Sequence, residues 1–269
     1  MNSQSFEAIA RFVTNESGIR VGANKSYMVE DRLTPVLTSF GISSFEHLAT
    51  QLLAAPDELR TAVLDAMATN ESFFFRDQTP FDLFQRVMLP ELVERKAQTN
   101  EKIRIWCAAA ATGQEPYSLA MAALECEKQL AGVGVEIIGT DISASALNIA
   151  NLGQYRDFEV QRGLSGIRRE RFFDRNECSW AVKEEVRKLV RFEQRNLVHE
   201  TSWATQFDVI FCRNVLIYFD VSTKTKVLSK LHTQLNGNGY LMLGAAETLI
   251  GVSDQFAPTP RSPSLFRPV

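Results

Sequence analysis

Hydrophobic residues recur at every third or fourth position in the first part of the chain, which is the spacing of one face of a helix. Four such patterns follow one another, with apolar positions at Phe6, Ile9 and Val13; Val29, Leu33, Val36, Leu37 and Phe40; Phe45, Leu48 and Leu52; and Leu59, Val63 and Met67. Gly41 and Pro56 interrupt the series where helices would end and begin. The spacing predicts an all-helical domain over residues 1–70.

The pattern changes at Ile103 and Ile105, whose alternation predicts a strand buried in a sheet. Four small residues, 108–111, and Gly113 follow, and Pro116 then suits the first turn of a helix. Small side chains let the backbone approach a ligand, and a helix N-terminus offers unpaired N–H groups. This strand, turn and helix therefore predict one edge of a nucleotide-type pocket.

An acidic residue ends the next predicted strand, 135–141, and a predicted helix over 144–151 follows it. In this position the Asp141 carboxylate can accept both hydroxyl groups of a ribose. Capping the following helix is the alternative. Because Ser143 is available for that task, we favour the ribose role.

Residues 153–195 depart from the alternation of strands and helices, and we predict a small inserted β-subdomain there. Within it, 180–183 and 189–193 alternate like the two strands of a hairpin. Arginines are concentrated in this region, at Arg156, Arg162, Arg168, Arg169, Arg171 and Arg175. Such a cluster is either a solvated charged surface or a face that docks a partner, and the sequence leaves both open.

The predicted sheet resumes with Asn196 and Leu197, and a later apolar strand ends in a polar turn at Arg213 and Asn214. A helical pattern follows, and an N-G-N-G turn at 236–239 then leads into another strand. Strands that alternate with helices predict an α/β fold.

The segment A-T-N-E-S-F-F-F-R-D, residues 68–77, fits neither spacing. Its three phenylalanines, 73–75, predict a hydrophobic plug between two domains. Asn70, Ser72 and Arg76 lie beside this plug and need polar partners, which either the protein or a bound ligand would supply. Both readings stay open from the residues alone.

The chain has 269 residues, and its formal net charge of −3 argues against a general nucleic-acid binder, which would be distinctly basic. The cysteines and histidines are scattered and give neither a zinc signature nor a disulfide framework. No apolar run approaches the roughly 20 residues that span a bilayer, and the first residues do not resemble a signal peptide. We expect a cytoplasmic protein without a metal site and without membrane insertion.

The pocket lacks two phosphate-binding signatures, the full G-x-G-x-x-G fingerprint and the Walker lysine. A nucleoside cofactor without a phosphate therefore fits better than a dinucleotide. S-adenosylmethionine is the candidate that this reasoning favours.

Five motifs, in this order, carry a resemblance to a known family: T-N-E-S-F-F-F-R (69–76), A-T-G-Q-E-P-Y-S (111–118), G-T-D-I-S (139–143), N-L (196–197) and F-C-R-N-V-L-I-Y-F (211–219). Along nearly its whole length the chain resembles the chemotaxis receptor methyltransferases, the CheR family. The resemblance implies an N-terminal all-helical domain, a Rossmann-like α/β methyltransferase domain and a small inserted β-subdomain. The corresponding ranges are 1–70 for the helical domain, 71–80 for a linker that contributes to the cofactor pocket, 81–269 for the methyltransferase domain and 153–195 for the insertion.

That family transfers the methyl group of S-adenosylmethionine to glutamate side chains on the cytoplasmic helices of chemoreceptors, and S-adenosylhomocysteine is the product. Matched residue by residue, the resemblance implies cofactor contacts from Asn70, Ser72, Arg76, Glu115, Asp141, Asn196, Leu197, Arg213 and Asn214. It also implies that Tyr218 lies near the transferred methyl group and that Arg76 steers the substrate carboxylate. These two residues are the catalytic candidates.

Two positions depart from the family pattern. Ala110-Ala111 stands where the family often has Cys-Ser, and Gln114 stands where it often has the first residue of Glu-Glu. Glu115, the position expected to bind the amino group of the cofactor, is kept. We therefore expect activity to survive, while the effect on cofactor affinity stays open.

The expected chemistry explains why no catalytic base is apparent. A glutamate carboxylate is already ionised at neutral pH, so alignment and exclusion of water are the main tasks of such an enzyme. A catalytically silent module that binds S-adenosylmethionine or its product is one alternative, and the retention of Arg76, Asp141 and Tyr218 argues against it. A nicotinamide-dependent oxidoreductase is the other, and the absent glycine fingerprint argues against that.

Some members of the family bind a pentapeptide at the receptor C-terminus by adding it as a strand to the inserted subdomain. In this chain 173–190 is compact, without the extra glycine-containing loop residues of the tethering type. We therefore predict a monomeric enzyme without a pentapeptide tether. It would meet an acidic helical bundle directly, through Arg162, Arg168, Arg169 and Arg171.

Overall fold

The computed structural model of the chain describes residues 1–99, 101–199 and 202–269. Its first part is a helical bundle made of α1 (Ser3–Ser17), α2 (Ser26–Ser39), α3 (Phe45–Gln51) and α4 (Asp57–Met67). Apolar residues predicted to share faces, among them Ile9, Leu33 and Val63, are fully buried in its core. Asn2 and Ser44 each accept a hydrogen bond from the first turn of α1 and α3, so local caps fix where these helices begin. The prediction of helices in this part of the chain is confirmed.

An α/β sandwich follows the bundle. In chain order its elements are α5 (Thr79–Leu83), a π-helical turn (Phe84–Met88), α6 (Leu89–Lys96), β1 (Ile103–Ala108), α7 (Gln114–Glu125), α8 (Glu127–Leu130), β2 (Val135–Asp141), α9 (Ala144–Leu152), β3 (Gln154–Tyr155), α10 (Asp157–Gln161), α11 (Gly166–Phe172), β4 (Phe173–Arg175), β5 (Trp180–Val182), α12 (Glu184–Arg187), β6 (Val190–Gln194), β7 (Phe207–Cys212), a 3₁₀ turn (Leu216–Tyr218), α13 (Val221–Gln234), β8 (Leu235–Leu243), β9 (Phe256–Thr259) and β10 (Ser262–Pro268).

The main sheet has the order β6-β2-β1-β7-β8-β10-β9 within the described residues. Strands β6, β2, β1, β7 and β8 are parallel, and β10 and β9 are antiparallel additions at one edge. The chain builds outward from β1 in one direction and then restarts at β7 on the other side. Ligands of open α/β sheets bind where the strand order reverses in this way, at the carboxyl ends of the strands.

Both faces of the sheet are covered, which is why its central strands are almost continuously apolar. On β1, Ile105 and Cys107 pack into the cluster that includes α7, while Trp106 and Ala108 pack into the cluster that includes α13. The predicted strands at Ile103 and at 135–141, and the predicted helix after Asp141, are confirmed.

The inserted region forms a separate small sheet of order β3-β5-β4, but the predicted hairpin is wrong. Strand β5 pairs with β4 and β3, whereas β6, which was assigned as its partner, pairs with β2 in the main sheet. The assigned insertion, 153–195, is therefore too long at its carboxyl end, and the main sheet resumes at Val190 rather than at Asn196. Local alternation could not show this, because β6 finds its partner about fifty residues earlier in the chain.

The predicted N-G-N-G turn is also wrong. Residues 236–239 lie inside β8, where the register against β7 shifts between the pairs Phe207–Leu235 and Val209–Tyr240. The extra residues are accommodated as an irregularity of the strand, a common use of glycine in sheets.

Two of the three phenylalanines of residues 73–75, Phe74 and Phe75, fill a core, but not the predicted one between the two large domains, and Phe73 is only partly buried. Phe74 packs edge-to-face against Tyr155 and Phe173 of the inserted region, with ring centroids 4.9 and 5.4 Å away. Phe75 packs against Phe81 at 5.0 Å. The plug therefore joins the insertion to the main sheet. The wider division of the chain, with a linker at 71–80, stays a prediction.

Candidate functional site

A cavity of about 910 Å³, including its open mouth, lies at the carboxyl ends of β1, β2, β6 and β7. Every residue that the sequence assigned to the cofactor or to catalysis lines it: Asn70, Ser72, Arg76, Glu115, Asp141, Asn196, Leu197, Arg213, Asn214 and Tyr218. Their individual roles stay predictions, but the fold brings all of them to one place.

The turn after β1 brings the backbone to this cavity. Ala109 and Ala111 adopt left-handed conformations, with φ of 63° and 48°, and both line the cavity wall. Gly113, at φ 94°, starts α7, and an added Cβ there would lie only 2.8 Å from the Ala150 Cβ. The residue that departs from the family pattern here, Gln114, is buried and accepts a hydrogen bond from the Thr112 hydroxyl at 2.8 Å. It supports the turn rather than lining the cavity.

Asp141, at the end of β2, points its carboxylate at the same turn. Its oxygens accept hydrogen bonds from the backbone N–H of Ala111 at 2.8 Å and of Ser143 at 2.9 Å. Burial raises the pKa of this carboxyl, and these backbone donors partly offset the rise. Ser143 itself caps α9 by accepting from the Ala146 N–H, so Asp141 is not needed as the cap. A carboxylate offers about four lone-pair directions, so capacity is left for two hydroxyl groups.

A buried ion network lies on the opposite side of the strand-order reversal. Arg213, only 2% exposed, donates to Glu115 at 2.6 Å and to Asp77 at 2.7 Å. It also donates to the Arg76 carbonyl at 3.0 Å. Arg213 therefore links the carboxyl end of β7 to the start of α7 and to the segment after the phenylalanines. Because these N–H donors of Arg213 are already used within the protein, its side chain is better placed to hold Glu115 than to contact a cofactor.

The segment 70–77 is held in an unusual conformation. Phe75 and Asp77 have positive φ of 51° and 68°, which costs a residue other than glycine on the order of 1–3 kcal/mol. The Phe75 N–H donates to the Ser118 hydroxyl at 2.9 Å, and Arg213 holds the Asp77 carboxylate. This conformation places the Arg76 side chain at the cavity. Arg76 donates one hydrogen bond to the Glu71 carbonyl at 3.1 Å.

The helical bundle contributes to the cavity wall, which the sequence did not indicate. Ser17 and Ile19 line the cavity, and the Arg20 N–H donates to the Tyr218 carbonyl at 3.0 Å. The Asn196 side chain donates to the Glu16 carbonyl at 2.6 Å and accepts from the Val198 N–H at 2.9 Å. Asn196 thus uses its side-chain amide to bind α1, which leaves its backbone for any cofactor contact.

Two family models match this chain. The first, described as "CheR methyltransferase, SAM binding domain", matches residues 70–264, and the second, "CheR methyltransferase, all-alpha domain", matches residues 4–68. The chain belongs to the CheR methyltransferase family. The resemblance stated from the five motifs is therefore confirmed.

Full-length relatives support the same placement. The "Chemotaxis protein methyltransferase" of Vibrio parahaemolyticus is 42% identical over 260 residues, which is 95% of this chain and 93% of that protein. The "Chemotaxis protein methyltransferase 1" of Pseudomonas aeruginosa is 41% identical over 265 residues, 97% of this chain and 96% of that protein.

Among solved structures, a TehB-like SAM-dependent methyltransferase from Corynebacterium glutamicum covers 72% of this chain and 94% of its own, with 14% identity and a TM-score of 0.38.

The chain is a methyltransferase, and S-adenosylmethionine is its cofactor. The hydrogen-bond acceptors in the cavity fit that molecule. A buried carboxylate at Glu115 suits an ammonium group, and the Asp141 carboxylate suits ribose hydroxyls. None of the helices in residues 1–99, 101–199 and 202–269 is long and apolar enough to cross a membrane.

The predicted role of Glu115 in binding the amino group leads us to expect a pH dependence of the cofactor affinity. Burial raises the pKa of this carboxyl, and Arg213 and Arg76 offset only part of the rise. The ionised form is the one that binds an ammonium group, so affinity falls as pH falls through the raised pKa. We expect the Kd for S-adenosylhomocysteine to rise, on going from pH 8 downward, before the usual Glu pKa of about 4.3 is reached.

Calorimetric titration across this pH range measures the effect. Glu115→Gln should bind weakly at every pH and lose the part of the dependence that Glu115 contributes. Glu185→Gln, on an exposed position of α12, should retain the wild-type profile. Identical pH profiles for wild type and Glu115→Gln would contradict the assignment of Glu115 to the amino group.

Proposed function

We propose that this enzyme transfers the methyl group of S-adenosylmethionine to glutamate carboxylates on the cytoplasmic helical bundle of chemoreceptors, forming glutamyl methyl esters for sensory adaptation. Its relatives are named chemotaxis protein methyltransferases. The observation that carries the proposal is that one cavity holds Glu115 and Asp141 for the cofactor, and Arg76 and Tyr218 for the reacting groups. The catalytically silent alternative has no comparable support.

The roles of the residues follow from their chemistry. When bound, S-adenosylmethionine supplies a methyl group on a positively charged sulfur, and the electrons of the C–S bond stay on sulfur when a carboxylate oxygen takes that methyl group. Arg76 holds one oxygen of the substrate carboxylate and leaves the other free. Tyr218 orients the reacting groups with its hydroxyl, for which no hydrogen-bond partner occurs among the described residues. No residue has to remove a proton, because the substrate carboxylate is already ionised near neutral pH.

The direct test is transfer from methyl-labelled S-adenosylmethionine to membranes that contain chemoreceptors. We expect label on the receptor that is released as methanol by mild base, which is the behaviour of a carboxyl methyl ester. Receptors whose methylated glutamates are replaced by alanine serve as the control. Binding of S-adenosylhomocysteine without any transfer to receptor would instead support the silent module.

The arginines of the insertion differ in how free they are to meet an acidic partner. The Arg168 side chain is already bound within the protein. It donates to both oxygens of Glu125, at 2.7 and 2.9 Å, and its guanidinium lies 3.7 Å from the Phe75 ring centroid. Arg162 and Arg171 are exposed, with Arg162 3.3 Å from the exposed Glu71 carboxylate, and Arg169 is partly buried. We therefore remove Arg168 from the proposed docking patch and keep Arg162, Arg169 and Arg171.

We also propose that the enzyme is a cytoplasmic monomer. Sedimentation analysis of the purified protein would test its oligomeric state.

We expect this enzyme to work without a pentapeptide tether. Strands β4 and β5 are joined by residues 176–179, and this short turn is closed by the Asn176 N–H donating to the Ser179 carbonyl at 2.8 Å. So short a turn leaves little room to fold over an added strand. Calorimetry with a receptor C-terminal pentapeptide should therefore show no micromolar binding, and receptors with and without that tail should be methylated at similar rates. Micromolar binding, or activity lost with the tail, would contradict this.

A further inference from the structure

Glu247 binds the backbone of two loops at the edge of the site. Its Oε2 atom accepts from the N–H of Asn214 at 2.9 Å and of Gly244 at 2.7 Å. Its Oε1 atom accepts from the N–H of Val215 at 3.0 Å and of Leu216 at 2.8 Å. One carboxylate thus ties the loop after β7 to the loop after β8. It does so without a basic side chain in salt-bridge range, as far as the described residues show.

The first of these loops carries the residues with proposed roles. Arg213 precedes the three N–H groups of this loop that Glu247 binds, and Tyr218 is the last residue of the 3₁₀ turn Leu216–Tyr218. Asn214 is held in the left-handed conformation, at φ 57°. N–H groups at the start of a helical turn have no partner within the turn, and a carboxylate that accepts several of them forms strong, charge-assisted bonds. The position of this loop therefore depends on Glu247.

Gly244 leaves the space that this arrangement needs. A Cβ at position 244 would lie 2.8 Å from Oε2 of Glu247, 2.9 Å from the Asn214 side-chain nitrogen and 3.0 Å from its backbone nitrogen. Any larger residue would push the carboxylate and the loop apart. Glu247 itself is not part of the cavity wall, so it acts through the loop and not on the cofactor.

We propose that Glu247 is a positioning residue for methyl transfer, which fixes Tyr218 through the backbone of residues 214–216. The inference rests on the proposed function, because that function assigns Tyr218 to the reacting groups. A glutamine cannot replace Glu247, because its NH₂ group would face N–H donors and only one oxygen would remain to accept from them. A small displacement of reacting groups is enough to slow an aligned transfer about a hundredfold.

Two variants test the proposal by different routes. Glu247→Gln removes an acceptor but keeps the shape, and Gly244→Ala keeps the carboxylate but displaces it. We expect kcat for receptor methylation to fall at least about tenfold in both, while the Kd for S-adenosylhomocysteine rises less than about threefold, because Glu115 and Asp141, the carboxylates assigned to the cofactor, lie on α7 and β2 and not on the displaced loop. Glu185→Gln and Gly237→Ala are matched controls. Position 185 is exposed, and an added Cβ at position 237, on β8 itself, meets no atom within 4 Å.

The outcomes separate the inference from the function on which it rests. A wild-type enzyme that methylates no receptor would refute the proposed function, whatever the variants do. An active wild type with unchanged kcat in Glu247→Gln would overturn the positioning role. So would parallel losses of kcat, affinity and thermal stability, since these would show a general effect on folding. If Glu247→Gln does not fold, the kinetics of Gly244→Ala test the proposal instead. Hydrogen exchange of the backbone amides of residues 214–216 and 244 in the wild type is a second test. Rapid exchange of all four amides would overturn the proposal.

Discussion

Replacing Arg213 with methionine is expected to lower the free energy of unfolding by about 3–5 kcal/mol, the usual cost of removing one partner from a buried ion pair. Arg213 is 2% exposed and Glu115 is 12% exposed, so water can replace only a small part of the lost contact. Asp77 is 44% exposed and stays solvated, so the unpaired Glu115 carries most of the penalty. For a chain of this length the loss corresponds to a fall in the unfolding midpoint of roughly 10 °C.

Thermal and urea unfolding of a double-mutant cycle measure this effect. Glu115→Gln added to Arg213→Met should recover a large part of the lost stability, because no uncompensated charge is left in the core. Arg191→Met is the control: Arg191 is 45% exposed and lies 3.3 Å from Glu136, so its loss should cost at most about 1 kcal/mol. Equal losses for the two arginines, or no recovery in the double variant, would show that the buried pair is not what Arg213 stabilises.

Where neighbouring residues alone decide the structure, the sequence was sufficient. The apolar run 135–141 is a strand with those bounds, and Ser143, next to Asp141, caps the following helix as expected. The predicted site residues meet because the carboxyl ends of parallel strands lie at one edge of the sheet. Their grouping in one cavity follows from the order of the strands in the sheet. The motifs predict that order only indirectly, through the family that they resemble.

Where residues far apart in the chain decide the structure, the sequence was not sufficient. The strand Val190–Gln194 has the alternation of a hairpin strand, yet it pairs with Val135–Asp141 in the main sheet. Glu247 stands in the segment A-A-E-T, which gives no local sign that its carboxylate binds the loop 214–216. The position of Ile19 in the cavity wall could not be predicted from the sequence for the same reason. Only the packing of α1 on the methyltransferase part brings Ile19 to the cavity.

The structure also changes which polar residues are available to a ligand. Motif matching assigned Asn196 and Arg213 to the cofactor, but the side chains of both bind other parts of the protein. Motifs identify positions that matter without showing through which atoms they act. Arg76 and Tyr218 differ in this respect, since both line the cavity and retain donors without partners among the described residues.

Arg76→Ala is therefore expected to reduce kcat/KM for receptor methylation about a hundredfold, the upper end for loss of a charged hydrogen-bond partner. Tyr218→Phe should reduce kcat about tenfold and leave the Kd for S-adenosylhomocysteine within about twofold, because it removes only the hydroxyl that orients the reacting groups. Arg76 has the larger effect since it lies near both Glu115 and the proposed position of the substrate carboxylate.

Steady-state methylation of receptor-containing membranes and calorimetry with S-adenosylhomocysteine separate these effects. The exposed Arg86 and Tyr27 supply the controls Arg86→Ala and Tyr27→Phe, which should match wild type in both measurements. Arg76→Lys should recover only part of the activity, because a lysine keeps the charge without the planar pair of donors that grips a carboxylate. Wild-type turnover in both Arg76→Ala and Tyr218→Phe would contradict their assigned roles. A Tyr218→Phe defect confined to cofactor affinity would move Tyr218 from the reacting groups to the binding of the cofactor.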